Sequence, residues 1–298
     1  LLMVVSCAVE VEENSTTANK RVREAWLRVN YPEAITPNSD GLHILEETKG
    51  EGITPGDTSY CFIRYSVRYL DGQYYSTNYP ELAKQLGSYS DSIYFGPDVY
   101  QLGKYQMYDA MENVVKKMKV GGKIKFLMPP EKSVVSYQTT KKHKLVWTHT
   151  DPKYSSNVIF DVELVKVVDD MFRYQENLIE QYIKDHGFHI DSQEDGFYFM
   201  KKTSLPDEDT IVEGTTVLVD YVGKLIENNH CFETNVVDSA KCYRIYNSAR
   251  TYEGLEAVFY SDPQEFADKN SLALGFSKAI SMLKIDEEAF VFFTSDWG

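Results

Sequence analysis

The segment SSNVIFDVELVKVVDD, Ser155 to Asp170, carries more information about the architecture of this chain than any other. Apolar side chains occupy every second position from Val158 to Leu164, and acidic side chains lie between them at Asp161 and Glu163. A period of two predicts a β-strand with one buried face. Because a charged segment with helical spacing follows directly, we expect this strand to be the last one of its domain.

The same order of predicted elements occurs twice along the chain: a helix, Asp-Gly, an apolar strand, a turn-rich loop and a strand that contains Tyr. Gly41 and Tyr65 are separated by nearly the same number of positions as Gly196 and Tyr221. This spacing predicts an internal repeat of about 155 residues. We place the boundary between the two copies near Asp169.

Each copy contains strands, one short helix and further strands, which is typical of the α+β fold class. Asp71-Gly72 separates two predicted strands and indicates a hairpin. In the first helix Thr17 is the expected cap, and Val22, Trp26 and Val29 form the expected buried stripe. Gly187 is the expected end of the helix that opens the second copy.

Composition excludes several classes of function. The 298 residues include 45 acidic and 31 basic side chains, and a net charge of −14 disfavours nucleic acid as a partner. No apolar run is long enough for a membrane-spanning helix. The four cysteines match no zinc motif, although Cys231 and Cys242 could pair in an oxidising compartment. We expect neither a metal nor a cofactor.

Two long segments resemble FKBP-type peptidyl-prolyl isomerases. LGKYQMYDAMENVVKKMKVGGKIKFLMPP, which starts at Leu102, is followed by VIFDVELVKV, which starts at Val158, in the order that this family shows. In the second copy LVDYVGKL, HCFETN and SLALGFSKAISML are similar to the same family. The resemblance implies two FKBP-like domains, each an antiparallel sheet wrapped on a short helix, joined by a helical linker. Residues 21–169 would form the first domain, and 170–298 the linker helix and a second, C-terminally incomplete domain.

The resemblance also implies two pockets for proline. The substrate-binding residues of the first would be Tyr65, Tyr75, Met107, Tyr108, Met111 and Phe160. The catalytic residues of the second would be Tyr221, Phe232, Glu233, Leu272, Ala273 and Phe276. Core packing is the alternative interpretation of these side chains.

The two copies depart from the family pattern in different ways. Where the family has an acidic residue the first copy has Ser76, and where the family has a floor tryptophan it has Met111. The second copy keeps an acid at Glu233 and an aromatic floor at Phe276. We therefore expect any activity mainly in the second copy. The flap tyrosine of the family has no clear match, and Tyr137 is the nearest candidate.

The function implied by the resemblance is peptidyl-prolyl cis-trans isomerisation that assists protein folding in the bacterial cell envelope. An apolar aromatic pocket would favour the twisted X-Pro amide, and the partners would be proline-containing polypeptides. The alternative is a non-catalytic FKBP-like chaperone or peptide-binding scaffold.

The first residues contain VVSC, Val4 to Cys7, which resembles the lipobox of bacterial lipoproteins. An acidic, Ser/Thr-containing stretch follows, so we interpret residues 1–20 as the remnant of a lipoprotein signal and a tether. Lipid attachment at Cys7 would anchor the protein to a membrane surface, in the periplasm or at the outer membrane. The alternative is a β-strand with a buried cysteine.

Overall fold

The computed structural model describes residues 15–104, 106–133, 156–206 and 209–298. The chain divides into a first unit, Leu1–Ser88 with Phe95–Asp169, and a second unit, Tyr89–Tyr94 with Asp170–Gly298. Short helices and antiparallel strands alternate in both, which confirms the α+β class. Cys7 and Tyr137 lie outside the described residues.

The first unit is built around one antiparallel sheet. Its strands run in the order β1-β5-β6-β2-β3, and β4 pairs with the first half of β2. The elements are α1 (Ser15–Asn30), β1 (His43–Thr48), β2 (Tyr60–Tyr69), β3 (Tyr74–Thr77), α2 (Pro80–Gln85), β4 (Asp98–Gln101), α3 (Asp109–Val115), β5 (Lys123–Met128) and β6 (Val158–Val168). Short 3-10 turns at Pro32–Ala34 and Pro130–Lys132 complete the unit.

The predicted last strand is β6, and it lies at the centre of the sheet between β5 and β2. Phe160, Val162 and Leu164 are buried in the core that packs on α3, as the alternation predicts. Ile159 is 1% exposed on the opposite face, where Leu27 of α1 packs against it. The start of β6 is therefore buried on both faces, because α1 covers the second one.

The expected buried stripe of α1 is wrong at Val22 and Val29, whereas Trp26 is partly buried and packs against the cluster around Leu27. Val22 and Val29 are 51% and 82% exposed, and the helix begins before Thr17. The buried face instead carries Leu27 and Arg23, four positions apart on one side of the helix. Arg23 donates a hydrogen bond to Asn157 across 3.2 Å, so a polar contact with a distant part of the chain sets the orientation of this helix.

The strands of the second unit form three small sheets, in the orders β13-β8-β7, β12-β9 and β10-β11. We expected one sheet. In the first unit β6 bonds to both β5 and β2, and no described strand of the second unit joins β13 to β9 in that way. The elements are α4 (Met171–His186), β7 (Ser192–Glu194), β8 (Phe197–Lys201), β9 (Thr216–Val219), β10 (Val222–Lys224), β11 (Cys231–Thr234), α5 (Val237–Cys242), β12 (Leu255–Val258), α6 (Pro263–Asn270), α7 (Leu274–Ser281) and β13 (Ala289–Phe293).

The helix expected as a linker is part of the core of the second unit. In α4 the side chain of Asp170 accepts a hydrogen bond from the N–H of Arg173 at the first turn. Gly187 ends the helix in the left-handed conformation at φ 65°, as predicted. Ile179 of this helix packs on Tyr198 and the partly exposed side chains around it. The helix therefore contributes to the stability of the unit.

One group of side-chain hydrogen bonds occurs in the same form in both units. An Asn amide oxygen accepts from the backbone N–H of a Tyr, the same amide donates to the carbonyl two residues earlier, and a Thr hydroxyl donates to the carbonyl of the Tyr. The participants are Ile63, Tyr65, Thr77 and Asn78 in the first unit and Val219, Tyr221, Thr234 and Asn235 in the second. A short helix, α2 or α5, follows directly in each case.

The described cysteines form no disulfide. Cys61 and Cys231 are buried, Cys242 is exposed, and all three thiols are free, so the pairing of Cys231 with Cys242 is not observed. Among the described residues, no helix combines the length and the apolar character that crossing a bilayer requires.

Candidate active site

A pocket with a cavity volume of about 40 Å³ opens in the first unit. Its walls come from the strands β2, β3, β4 and β6, from the start of α3 and from the residues just before this helix. Most of the lining side chains are apolar or aromatic. The lining residues are Tyr65, Val67, Tyr75, Ser76, Tyr100, Gln106, Met107, Tyr108, Met111 and Phe160. All six substrate-binding residues expected from the sequence thus lie around one cavity.

Aromatic contacts fix the wall that β6 provides. The ring of Phe160 stacks on Phe126 at 5.3 Å between centroids, and the ring of Tyr108 meets its edge at 6.2 Å. Phe160 is 6% exposed and Met111 is 4% exposed, so both also belong to the hydrophobic core. Core packing and pocket lining are therefore not alternatives for these residues, because the pocket is an opening in the core.

A β-bulge explains how two consecutive residues of β3 face the same cavity. Neighbouring side chains of a regular strand point to opposite faces. Here Val67 pairs with Ser76 and Arg68 pairs with Tyr74, so Tyr75 is an extra residue in the strand. Such a bulge re-aims the side chains next to it. Both Tyr75 and Ser76 consequently line the pocket.

The residues before α3 are held by the neighbouring strand. The side-chain oxygen of Gln106 accepts a hydrogen bond of 2.7 Å from the backbone N–H of Gln101, at the end of β4. Tyr108 has extended backbone angles and precedes the first turn of α3. This local conformation brings Met107, Tyr108 and Met111 together at one end of the helix.

One side of the pocket is polar, and the sequence did not predict it. The hydroxyl of Tyr65 lies near Ser76, Asp98 and Tyr100, and all three influence its pKa. Tyr100 donates to Oδ2 of Asp98 across 3.3 Å. Asp98 and Tyr100 lie two positions apart in β4, so an alternation in DVYQ is the only signal that could have placed them on one face.

Burial is the main cause of the shifted pKa values of Asp98, Tyr65 and Tyr100. Burial raises the pKa of Asp98, although the polar groups of Tyr65, Asn78 and Tyr100 nearby act in the opposite direction. Burial and the charge of Asp98 raise the pKa of Tyr65, and burial raises the pKa of Tyr100. Both phenols therefore carry their protons at neutral pH, and Tyr100 donates its proton to the carboxylate.

The structure brings only part of the second expected site together. The rings of Tyr221 and Phe276 meet edge to face at 5.5 Å, and Leu272 and Phe276 pack on the same core cluster. Ala273 precedes the first turn of α7, as Tyr108 precedes α3. Glu233 forms a salt bridge of 3.1 Å with Arg250, and its charge helps to raise the pKa of Tyr221, after burial.

The ring of Phe232 does not join those of Tyr221 and Phe276 to enclose a cavity. It is 55% exposed, although its position at the bulge of β11 matches that of Tyr75 in β3. The ring lies over the backbone of Gly223, and a Cβ at this glycine would be 2.6 Å from Cζ of Phe232. The missing side chain of Gly223 thus provides the space that the ring occupies.

Among the described residues no group of three or more His, Cys, Asp or Glu side chains is placed to hold a metal ion. No curated protein matches the sequence. Solved structures that match include FkpA from Escherichia coli, with 22% identity over 52% of this chain, and a peptidyl-prolyl cis-trans isomerase from Pseudomonas syringae pv. tomato, with 15% identity over 53%. Their TM-scores are 0.35 and 0.36, and the aligned parts cover 61% and 99% of those chains. This chain thus spans about three fifths of the length of FkpA.

Residues 53–165 match the family model of FKBP-type peptidyl-prolyl cis-trans isomerases. The matched segment contains every residue that lines the pocket, from Tyr65 to Phe160. This segment of the chain, within the first unit, is therefore similar to the FKBP-type peptidyl-prolyl cis-trans isomerase family.

Proposed function

We propose that the first unit is a peptidyl-prolyl cis-trans isomerase and that its pocket holds the proline of an X-Pro bond. The observation that carries the proposal is the aromatic pocket inside the segment that matches the family. Rotation about the X-Pro bond is slow because the planar amide loses its resonance. A pocket that stabilises the twisted amide more than the planar one lowers this barrier without a covalent intermediate.

The side chains of the pocket suit this task by their chemistry. Phe160, Met111 and Tyr75 present apolar surface to a proline ring, and no described Lys or Arg side chain lines the cavity. The carbonyl of a twisted amide is less polar than that of a planar amide, so removal from water costs the twisted form less. The apolar wall thereby favours the transition state over the ground state.

An isomerisation assay on the full chain tests the proposal. A protease that cleaves only the trans form of a proline-containing tetrapeptide reports the rate, and Tyr75→Ala is compared with Tyr221→Ala. We expect loss of activity in Tyr75→Ala and little change in Tyr221→Ala. The reverse result would support the expectation from the sequence, which favours the second copy, and would refute our assignment to the first unit.

A second candidate function is peptide binding without isomerisation, and Met111 favours it. A flexible thioether at the floor of the pocket holds a proline ring less rigidly than a tryptophan would. The same tetrapeptide, added to protein with labelled methionine methyl groups, would shift the Met111 resonance in both cases. Binding with no increase in the isomerisation rate would select this second function.

We propose further that the second unit is a diverged copy of the first. Support comes from the Asn and Thr hydrogen bonds that recur around Tyr65 and Tyr221. Buried amide hydrogen bonds of this kind contribute about 1 kcal/mol each. We expect Asn78→Ala and Asn235→Ala to lower amide-exchange protection by similar amounts, each in its own unit. An effect of only one substitution would contradict the equivalence of the two positions.

The place of action is proposed from the sequence alone. We propose that Cys7 carries the lipid of an envelope lipoprotein and that the protein assists the folding of secreted, proline-containing polypeptides. Support comes from VVSC and from the acidic stretch after it. Expression with labelled fatty acid in a bacterium that processes lipoproteins tests the anchor, and equal labelling of wild type and Cys7→Ser would refute it. Refolding of a proline-limited secreted protein with and without the chain tests the folding role.

A further inference from the structure

The strands β13 and β9 of the second unit each leave one edge without a partner among the described strands. β13 pairs with β8 alone, and β9 pairs with β12 alone. In the first unit the corresponding strands are β5 and β2, and β6 lies between them and pairs with both. The described part of the second unit therefore lacks a strand in the place that β6 fills.

Landmarks in the two units establish which positions correspond. Tyr221 takes the place of Tyr65, because the strands around both tyrosines pair in the same register and carry the same Asn and Thr hydrogen bonds. Just before β5 and β13, Gly121 and Asp286 adopt positive φ angles of 83° and 60°. Positions counted from these landmarks can be compared directly.

The helix α7 supports both strands that have an unpaired edge. Ile280 belongs to the buried cluster of β9, and Ala279 belongs to the buried cluster that β13 covers. A bridge between Thr210 and Lys284 joins the segments that lead into the two strands. In the first unit β2 and β5 pack on α3 in the same way, and there β6 completes a single core.

Side chains are exposed on β9 and β10 where their counterparts in β2 are covered. Phe62 is 7% exposed, and the ammonium of Lys166 in β6 lies 5.1 Å from its ring centroid. Leu218, at the corresponding position, is 70% exposed. Ser66 is 8% exposed, whereas its counterpart Val222 is 39% exposed. An unpaired edge with apolar side chains is a template for the addition of a strand.

The charges at the border of this place are opposite in the two units. In the first unit Glu163 of β6 pairs with Arg64 on one side and forms a salt bridge of 3.3 Å with Lys123 on the other. The corresponding residues of the second unit are Asp220 and Glu288. Glu288 is paired with a lysine, and Asp220 forms no salt bridge in the described part of the chain. A basic side chain therefore fits where β6 has Glu163.

Two positions earlier, the surroundings change from polar to apolar. Asp161 of β6 pairs with Ser66 and lies 3.7 Å from the ammonium of Lys125. The corresponding residues of the second unit are Val222 and Phe290, which are 39% and 41% exposed. An apolar side chain therefore fits where β6 has Asp161, because it would cover both of these residues.

We propose that β9 and β13 bind an extended segment of another polypeptide by strand addition, and that this segment is apolar at most positions and basic where β6 has Glu163. The inference rests on the proposed equivalence of the two units and goes beyond isomerisation. Backbone hydrogen bonds to the two edges provide affinity, and the side chains that face Asp220 and Phe290 provide specificity. The net charge of −14 also attracts basic segments.

Synthetic peptides, each with the same polyethylene glycol tail for solubility, test the proposal on the full chain. The first peptide has the sequence of residues 157–168 with Asp161→Val and Glu163→Lys, and the second has the unchanged sequence. We expect the first to bind about tenfold more tightly, because opposite charges stabilise cross-strand pairs and like charges destabilise them. Equal affinities, or no binding of the first peptide, would overturn the proposal.

Two changes test the strand and the charge separately. A third peptide adds Val162→Pro to the first, which removes a backbone N–H from the strand, and it should bind at least tenfold more weakly. In the chain, Asp220→Lys should reverse the preference between the first two peptides. Asp268→Lys makes the same change of charge on the exposed side of α6 and should leave the preference unchanged. Tight binding of the third peptide, or equal effects of both chain variants, would contradict strand addition at this place.

Hydrogen exchange locates the bound peptide. The first peptide should protect amides along the unpaired edges of β9 and β13, and protection confined to the first unit would overturn the proposal. Protection of these edges in the free chain would also overturn it: a monomer in sedimentation would then show that the same chain fills the place, and a dimer that a second copy does. None of these measurements depends on turnover, so failure of the isomerase proposal leaves them unaffected.

Discussion

Two matched substitutions test whether the part of β6 that lines the pocket contributes to activity. Phe160→Leu removes an aromatic ring from the pocket wall, and Phe126→Leu removes the ring that stacks behind it. Both side chains are almost fully buried and their rings stack on each other, but only Phe160 lines the cavity. Leucine lacks roughly 50 Å² of the apolar surface of phenylalanine, worth about 1.3 kcal/mol at ~25 cal/mol per Å². The lost stacking adds up to about 1 kcal/mol.

The two variants should therefore lose similar stability and different amounts of activity. A loss of about 2 kcal/mol lowers the melting temperature of a unit of this size by roughly 4–8 °C. In Phe160→Leu the bound proline also loses the wall that faces it. If this contact contributes about 1–2 kcal/mol to the transition state, kcat/KM falls roughly 5- to 30-fold. Phe126→Leu should keep kcat/KM within about threefold of the wild type.

The measurement combines thermal unfolding with the protease-coupled isomerisation assay, run well below the melting temperature of both variants. We expect the two variants to show similar decreases in melting temperature, and we expect a lower kcat/KM in Phe160→Leu than in Phe126→Leu. Equal losses of activity in Phe160→Leu and Phe126→Leu would mean that the rate follows the stability of the unit. Unchanged activity in Phe160→Leu would remove β6 from the pocket wall.

Three further predictions concern the second unit. Glu287 accepts hydrogen bonds from Lys201 and from the backbone of Lys284 and Leu205, which lower its pKa from 4.5 to about 2. A lowered pKa stabilises the fold above pH 4.5 and loses this effect as the pH falls toward 2, so Glu287→Gln should flatten the dependence of the melting temperature on pH in that range. Gly223→Ala should displace the Phe232 ring at a cost below about 1 kcal/mol, since the ring is mostly exposed, and the ring resonances of Phe232 will report the shift. Gly187→Ala should cost about 1 kcal/mol in urea unfolding, because alanine tolerates the left-handed conformation poorly.

The sequence predicted those parts of the fold that depend on local patterns. The alternation in β6, the hairpin at Asp71-Gly72 and the helix end at Gly187 all follow from neighbouring residues, and the structure confirms them. The buried face of α1 could not be predicted in this way. Arg23 is buried there because it meets Asn157 and Glu131, which are distant in sequence. A pattern of apolar residues cannot indicate a helix face that is fixed by polar partners.

The same distinction between local sequence patterns and contacts of distant residues applies to the candidate site. Its aromatic residues were found because they follow one another in the order of a known family, and each could be assigned from its place in a motif. Asp98 was missed because the search for an acid ended at position 76 on β3. The carboxylate belongs to β4, which pairs with β2, and it accepts a hydrogen bond from Tyr100 in the pocket wall. A motif on one strand gives no information about a side chain that reaches the pocket from another strand through sheet pairing.

The difference between the two bulges can be traced to the residue on the strand opposite. Val67 pairs next to the bulge of β3, and Gly223 pairs next to the bulge of β11. The side chain of Val67 is 5% exposed, lines the pocket and fills the space above its strand, so the ring of Tyr75 cannot lie there. At Gly223 that space is empty of a side chain, and the ring of Phe232 settles on the backbone and remains exposed. The aromatic residue expected from the sequence is present in both units, but only a bulky neighbour directs it toward a cavity. This is the physical reason to look for isomerase activity first in the first unit.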